Sequence, residues 1–216
     1  MHHSVKKIVE IERKPSSCEE PHAIATDGKI IWVSSRATRH VDVIDGAAWR
    51  KIDEIQPPTM AWGMAYGRGD LFMTCGDDDT ANRRILAYRD GNPSRKPIDC
   101  PEGTGSHLSI DGERILLGQW YLKKIHMLSA AGDVIRTYDT PHEVCGVAAK
   151  DGEIYVLGTD DEDTTGYFIS AIDLATGAAR EVAAVSFRAR GLAWDGASFW
   201  TNHREADQTV RFALPG

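Results

Sequence analysis

The chain has 216 residues, of which 42% are hydrophobic, and a formal net charge of −7. This length suffices for one domain with a sizeable core, and we interpret residues 1–216 as a single domain. The acidic balance argues against a nucleic-acid partner, which needs a basic face for the phosphate backbone. No apolar run reaches the roughly 18–20 residues that span a bilayer, so we expect no membrane partner.

Charges interrupt every apolar stretch near the N-terminus, so we expect no signal peptide and a cytoplasmic protein. The four cysteines, Cys18, Cys75, Cys100 and Cys145, form no CxxC pair and match no zinc-finger spacing. Reduced and unlinked thiols are therefore the simplest interpretation.

Residues 5–12 alternate polar and apolar side chains and read as a lone strand. The first repeat follows. His22 to Ser35 reads as an apolar strand, a tight Asp-Gly turn and a second apolar strand, which is a hairpin. Two outer strands, Val41–Asp45 and Trp49–Ile55, complete a four-stranded unit from about Pro21 to Gln56, and two prolines then break the chain.

The same hairpin returns four more times. Its turns lie about 40 to 44 residues apart, at Asp27, Gly67, Asp111, Asp151 and Asp195. This is the period of a four-stranded propeller blade. Blades two, three and four extend to about Asp99, Asp139 and Val185. We predict an all-β fold, a five-bladed β-propeller with four antiparallel strands per blade. A β-sandwich is the alternative, but it lacks so regular a period.

The last blade is incomplete. From Gly191 onward the pattern supports three strands, over residues 191–194, 197–201 and 209–214. We expect the N-terminal strand to supply the fourth and to close the ring, since closure removes exposed strand edges. Two acidic loops, residues 76–79 and 160–163, do not match the spacing of an EF-hand and are interpreted as solvated turns.

In a propeller, the first strand of each blade lines the central channel, and loops on one face of such a scaffold commonly carry function. Alignment of the five turns places unlike, chemically active residues at the channel entry: His22, Trp62, Ser106 with His107, Cys145, and Arg190. Segments that follow the second strands reach the same face, and they contain Arg36, Trp120, Tyr121, Asn202, His203 and Arg204. A ring that varies from blade to blade favours one asymmetric central site.

Three imidazoles, from His22, His107 and His142, converge on the predicted axis. Such a set would bind a divalent transition metal, zinc or iron, and leave a position open for water or substrate. The metal would lower the pKa of its bound water or polarise a carbonyl. The alternative is that each histidine only hydrogen-bonds a neighbouring loop. Without a metal, His22, His107 and His203 remain candidate acid–base residues.

Arg190 and Arg36 are predicted to hold an anionic or carbonyl oxygen of the substrate, because a guanidinium offers a fork of donors. The alternative is an ion pair with Glu20 or Glu143 across the channel. Cys145 is a candidate nucleophile if His107 or His142 serves as its base, and otherwise an inert thiol.

Three aromatic residues, Trp62, Trp120 and Tyr121, are predicted to wall the pocket and to stack against a flat or sugar-like ligand. Blade-to-blade packing is the alternative for each. Asn202 and Glu20, at the same level of the channel, are further candidate substrate-binding residues.

Two segments, Pro21-His22-Ala-Ile-Ala-Thr-Asp-Gly and Gly191-Leu-Ala-Trp-Asp-Gly-Ala-Ser-Phe-Trp, resemble the NHL, gluconolactonase-like and virginiamycin-lyase-like propeller repeats. That resemblance implies a metal at the channel mouth. The Pro-His entry is similar to the zinc-binding histidines of peptidylglycine lyase propellers, which implies ligand roles for His22 and His142 and, more loosely, His107. The group typically has six or seven blades. Glutaminyl cyclotransferase propellers do have five blades and a similar Gly-Leu-Ala-Trp-Asp-Gly phrase, but their characteristic catalytic segments are not found here.

We therefore predict a small-molecule enzyme working at the channel mouth, a metal-assisted lyase, hydrolase or isomerase that acts on an anionic or carbonyl-bearing substrate. His203 would be its acid or base. A metal-free propeller that binds a ligand or a protein, and a metal-free acid–base enzyme of the cyclotransferase kind, remain as alternatives.

Overall fold

The computed structural model describes residues 5–77 and 81–216, so Asp78 and Asp79 of the first acidic turn lie outside the described residues. Within those ranges the chain forms 21 strands and two short 3-10 helices, Pro101–Gly103 and Arg204–Ala206. No helix in the described ranges has the length and hydrophobicity to cross a membrane.

The strands form five antiparallel sheets, which confirms the predicted five-bladed β-propeller. Ahead of blade one lies β1 (Val9–Pro15). Blade one contains β2 (Pro21–Thr26), β3 (Ile30–Ser35), β4 (Val41–Asp45) and β5 (Arg50–Ile55). Blade two contains β6 (Ala61–Gly67), β7 (Asp70–Cys75), β8 (Arg84–Arg89), β9 (Asn92–Pro93) and β10 (Ile98–Asp99). Blade three contains β11 (Leu108–Asp111), β12 (Arg114–Gln119), β13 (Lys124–Leu128) and β14 (Val134–Asp139).

Blade four contains β15 (Glu143–Lys150), β16 (Glu153–Thr159), β17 (Tyr167–Asp173) and β18 (Ala179–Val185). Blade five contains β19 (Ala189–Trp194), β20 (Phe199–His203) and β21 (Gln208–Ala213), and β1 pairs with β21 as its outermost strand. The N-terminal strand therefore closes the ring as predicted. It begins at Val9 rather than Val5 because the preceding residues run beside blade four, where Ile8 N donates to Ala184 O over 3.0 Å.

One further boundary differs from the prediction. The fourth strand of blade one begins at Arg50, because Trp49 has a left-handed φ of 49° and belongs to the turn. The indole Nε1 of Trp49 donates to the carbonyl oxygen of Pro15 over 2.8 Å, which attaches this turn to the end of β1.

The core lies between neighbouring blades. The strands nearest the channel are buried, as in β2 and β7, whereas β5 at the rim of blade one is exposed except for Ile55. In each blade a small residue of the first strand pairs with a large residue of the second: Ala25 with Trp32, Ala65 with Phe72, Ser109 with Leu116, Ala148 with Tyr155, and Ala193 with Trp200. Each large side chain packs toward the next blade, so the small partner leaves room for it.

Candidate active site at the channel mouth

The first strands of four blades are bulged where they enter the channel. Their pairing with the second strand shifts register between Pro21 and Ile24, Ala61 and Gly63, Val144 and Gly146, and Arg190 and Ala193. Three of the residues passed over are His22, Trp62 and Cys145, which the sequence predicts at the channel entry. A bulge kinks the strand and re-aims the side chain of the extra residue. The local backbone thus explains why these positions differ from ordinary strand positions.

Glycines in these strands allow neighbouring blades to approach closely. A Cβ on Gly63 would lie 1.9 Å from the carbonyl oxygen of Ser106 in blade three. Gly191 has a φ of 73°, and a Cβ there would lie 2.8 Å from the carbonyl oxygen of His22 in blade one. Only glycine tolerates such contacts, and as a result the entry residues of different blades come within reach of one another.

At this face lies a cavity of ≈ 450 Å³. Its walls come from all five blades and comprise His22, Arg36, Trp62, Arg83, Ser106, Trp120, Tyr121, Glu143, Glu162, Asp163 and Arg204. Five of the predicted site residues, namely His22, Arg36, Trp62, Trp120 and Tyr121, are therefore brought together. The size of the cavity suits a small organic ligand.

His22 and His107 meet although they come from blades one and three. Their rings are stacked, with centroids 5.9 Å apart and planes inclined by 16°. Each residue is 2% exposed. Within the described chain, Nδ1 of His22 and Nε2 of His107 have no hydrogen-bond partner. Buried polar atoms are nearly always paired, so two unpaired imidazole nitrogens at one place indicate more than a packing role.

Both imidazoles are held in the neutral form. Burial lowers the pKa of His22 well below its ordinary value, and the positive charges of Arg190, Arg204 and Arg36 oppose protonation further. Burial likewise lowers the pKa of His107, with Arg190 as the largest charged neighbour. At neutral pH each ring can therefore donate one hydrogen bond and accept another.

The aromatic walls are backed by arginines. The guanidinium carbon of Arg83 lies 4.3 Å from the ring centroid of Trp62. Trp120 has Arg190 at 4.2 Å, and its ring is stacked with that of Tyr121 at 5.0 Å. These cation–π contacts occupy ring faces that the sequence assigned to a ligand. The outer face of Tyr121, a residue that is 65% exposed, is the best placed of the three to receive a flat ligand.

Arg190 does not line the cavity. It is 1% exposed, and its Nη2 lies 2.6 Å from Glu162 Oε2. Its Nη1 donates to Cys145 Sγ over 3.3 Å. The guanidinium predicted to hold a substrate oxygen is thus buried and ion-paired within the protein, and Arg190 acts on the site through its charge and through the residues it contacts.

Cys145 lies at the bulge of β15 as a fully buried thiol within a hydrophobic core cluster, outside the cavity lining. Burial raises its pKa to about 11, and the nearby Arg190 lowers that value only in part. The thiolate is the nucleophilic form, and it is scarce at neutral pH when the pKa is this high. The geometry therefore favours the inert thiol over the catalytic cysteine.

Three other predicted residues lie outside the cavity lining. Asn202 is fully buried, where its Nδ2 donates to the carbonyl oxygen of His22 over 3.3 Å. His203 turns the other way, with Nδ1 2.9 Å from Arg13 Nη1 and its ring against Phe187. Glu20 occupies a left-handed turn with a φ of 46°, away from the cavity lining. Asn202 still supports the site indirectly, because it holds the backbone at His22.

His142 does not join the other two histidines. Its Nδ1 lies 2.9 Å from Asp160 and its Nε2 lies 3.1 Å from Glu181, while its ring stacks on Phe168. In residues 5–77 and 81–216, no three His, Cys, Asp or Glu side chains are grouped so that they could hold a metal ion. The predicted three-histidine ligand set is therefore not formed. The reason is local, since both nitrogens of His142 are engaged by carboxylates of blade four.

Several residues of the cavity had no site role assigned to them from the sequence. Arg204 follows His203 directly and reaches the cavity, where it lies 3.7 Å from Glu162. Glu162 and Asp163 belong to the acidic loop that the sequence assigned to solvent. Arg83 reaches the cavity from the connection between β7 and β8. A sequence signal existed only for Arg204, because it ends the same post-strand segment as Asn202 and His203.

No protein-family model matches the chain, and no curated protein matches it. Solved structures do match. A glutaminyl cyclase of Myxococcus xanthus superposes with a TM-score of 0.76 at 12% identity, over 98% of this chain and 98% of that one. The PQQ-bound aldose sugar dehydrogenase of Streptomyces coelicolor gives a TM-score of 0.60 at 12% identity, over 97% and 98% of the two chains.

A protein of unknown function from Bacteroides thetaiotaomicron gives a TM-score of 0.62 at 10% identity, over 97% of this chain and 72% of that one. At such identities the similarity extends to the fold alone. The finer resemblance to NHL and gluconolactonase-like repeats thus stays an interpretation of the sequence. What the chain shares with these proteins is the β-propeller fold, which here has five blades.

Proposed function

We propose that this propeller is a small-molecule enzyme whose active site is the channel-mouth cavity, and that it acts by acid–base chemistry on a substrate with an anionic group. The observation that carries this proposal is the stacked, neutral pair of His22 and His107, buried beside a cavity lined by guanidinium groups. The predicted lyase, hydrolase and isomerase activities all use such chemistry.

The two histidine nitrogens have no partner within the described protein, so the fold gains when a bound molecule pairs with them. Leaving a buried polar atom without a partner costs about 1–3 kcal/mol. Such groups are usually eliminated unless they serve a function, and perturbed histidines concentrate at active sites. His22 lines the cavity and is neutral at neutral pH, which is the form that a general base needs, and the negative charge of a bound substrate would offset the arginine charges that oppose its protonation. His107 lies outside the cavity lining, and its ring stacks on that of His22.

The surroundings favour a charged substrate. Arg36, Arg83 and Arg204 line the cavity, and guanidinium groups bind carboxylate or phosphate oxygens in a forked geometry. The positive charge of Arg190 behind the histidines would also stabilise negative charge that develops on the substrate. Since the three-histidine set is not formed, no step of this proposal passes through a metal.

The comparisons support an enzyme in a general way. Two of the similar structures carry enzyme names, a glutaminyl cyclase and an aldose sugar dehydrogenase. Propellers also serve as binding proteins, so the proposal of an enzyme is based on the residues of the cavity and not on the fold.

The experiment is a substrate search with a matched variant. The protein is incubated with a mixture of small carboxylates and phosphates, and mass spectrometry identifies compounds that disappear or form. We expect at least one conversion that is lost in His22→Gln and retained in His126→Gln, because His126 is a buried histidine of blade three bonded to Thr137 and lies outside the cavity lining. A conversion that survives in His22→Gln would contradict the assigned role. Compounds that bind to the protein but are not converted would indicate a binding protein.

A further inference from the structure

The charges of the cavity are sorted by blade. Its arginines come from blades one, two and five, as Arg36, Arg83 and Arg204. Its acids all come from blade four, as Glu143, Glu162 and Asp163. Blade three contributes the neutral walls. The cavity therefore has a basic and an acidic side, although a site for a simple anion would gain from positive charge all round.

Most of these charges are already compensated inside the protein. Glu162 contacts both Arg190 and Arg204, at 2.6 and 3.7 Å. Asp163 is 93% exposed and lies 4.0 Å from Arg188. The charges of these residues are neutralised by the chain or screened by solvent, and they contribute little to a net preference for a ligand.

Arg83 is 2% exposed and lies against the ring of Trp62. Arg36 and Glu143 differ from these residues. Among the described residues, no carboxylate forms an ion pair with Arg36, and no cationic side chain forms one with Glu143. The Glu143 carboxylate accepts a hydrogen bond from Trp120 Nε1 over 2.8 Å, which holds it in place. The two residues come from blades one and four, which are not neighbours in the ring. The sequence analysis allowed for an ion pair between them across the channel, and the structure does not form one.

We infer that the cavity recognises a zwitterion, with the carboxylate of the ligand at Arg36 and its ammonium group at Glu143. This inference rests on the proposed function and names the substrate class of the same site. A guanidinium matches a carboxylate with two parallel hydrogen bonds, and a fixed carboxylate is a good acceptor for an ammonium group. A ligand with both charges satisfies both residues at once, whereas an anion or a cation leaves one of them with only solvent.

The aromatic walls specify the part between the two charges. Trp62, Trp120 and Tyr121 lie on the blade two and blade three side of the cavity, between Arg36 and Glu143 along the chain. Trp120 is already covered by Arg190 and Tyr121, and Arg83 covers a face of Trp62, so the exposed ring of Tyr121 offers the main apolar surface to the body of the ligand. The ligand class is therefore a small amino acid-like compound in which a hydrocarbon or aromatic body separates the two charged groups.

Three matched probes test this inference by calorimetric titration: 4-(aminomethyl)benzoate, which has both charges, 4-methylbenzoate, which has only the negative one, and benzylamine, which has only the positive one. The aliphatic zwitterions 4-aminobutanoate and 6-aminohexanoate extend the series. We expect the best zwitterion to bind at least tenfold more tightly than either singly charged probe. In Glu143→Gln, the best zwitterion should bind no more tightly than 4-methylbenzoate. In Arg36→Gln, it should bind no more tightly than benzylamine.

Control variants remove a charge elsewhere. Arg50→Gln, on the exposed β5, and Glu113→Gln, whose side chain is 83% exposed beside Arg68, should leave all affinities unchanged. If 4-methylbenzoate binds as tightly as every zwitterion and Glu143→Gln has no effect, the inference is overturned. The anion site that the proposed function requires is then retained. If no zwitterion binds, the inference is overturned, and the substrate search decides separately on the enzyme.

Discussion

Glu162 Oε2 lies 2.6 Å from Nη2 of Arg190, so a loop at the rim of the cavity is ion-paired to a guanidinium that is 1% exposed. Arg190 continues this connection inward, to Cys145 and to the face of Trp120. The acidic loop after β16 is thereby joined to the inner strands of two blades. The contact links the geometry of the cavity to the stability of the fold.

This contact predicts the effect of Glu162→Gln. The substitution keeps the shape of the side chain but leaves a buried guanidinium without its principal counter-charge, which is costly in a low-dielectric interior. We expect the free energy of unfolding to fall by about 1–3 kcal/mol, measured by urea denaturation. Glu205→Gln is the control. Glu205 pairs with Arg188 at the surface, where its side chain is 52% exposed, and we expect a loss below about 1 kcal/mol. Equal losses would contradict this account.

The histidine pair predicts how stability depends on pH. The pKa values of His22 and His107 are lower in the folded protein than in the unfolded chain, so below about pH 6.5 the unfolded chain binds more protons. Their contribution to stability is complete above pH 6.5 and is lost as the pH falls from there through the folded-state pKa values. The slope approaches about 2.7 kcal/mol per pH unit when both groups respond.

Urea denaturation at pH 7.5 and pH 5.5 checks this prediction. The wild-type protein should be clearly less stable at the lower pH, and a His22→Gln, His107→Gln double variant should show a shallower dependence. The same stability at both pH values in the wild type would show that the imidazoles do not stay neutral on folding.

Thiol chemistry provides a further prediction. Burial raises the pKa to about 11 for Cys18 and Cys145 and to about 12 for Cys75 and Cys100. Fewer than about one thiol in a thousand is then ionised at pH 7.5, so iodoacetamide should modify the native protein very slowly. Mass spectrometry should find four alkylated cysteines after urea treatment and nearly none before it. Fast native modification of Cys145 would restore it as a candidate nucleophile.

The close approach of blades two and three predicts the effect of Gly63→Ala. The added Cβ would lie 1.9 Å from the Ser106 carbonyl oxygen and 2.6 Å from His107 Cα, so backbone atoms must move. We expect a loss of about 2–3 kcal/mol in unfolding free energy, together with weaker binding in the cavity. Gly166→Ala is the matched control, because its nearest neighbour, Thr164 Oγ1, lies at an ordinary 3.5 Å. Similar stability of the two variants would contradict the close contact.

The fold could be predicted because each blade repeats the same local information. A short apolar strand, a turn at Asp27 or its equivalents and a second apolar strand recur at the length of a blade, and the missing strand of blade five matches the extra strand at the N-terminus. Boundaries were less predictable. Trp49 is of a residue type that is enriched in strands, yet its left-handed φ places it in a turn. A pattern of apolar residues carries no information on that backbone angle.

The site was predictable only in part. The entry positions follow from the repeat, and His22, Trp62 and Trp120 indeed line one cavity. The repeat predicts the position of each side chain but not the residue with which that side chain interacts. His142 contacts two carboxylates of its own blade. Arg190 forms an ion pair with Glu162, a residue of a loop whose path no strand pattern determines. Long-range ion pairs of this kind depend on the folded structure and leave no local signal in the sequence.

The bulges at the channel entry allow single residues of the ring to be exchanged independently of one another. Two cavity residues passed over at these shifts, His22 and Trp62, already stand outside the regular ladder of strand pairing. Exchanging one of them alters the cavity while the sheet keeps its register. New chemistry can therefore enter such a scaffold through single replacements, one blade at a time, while the architecture stays the same.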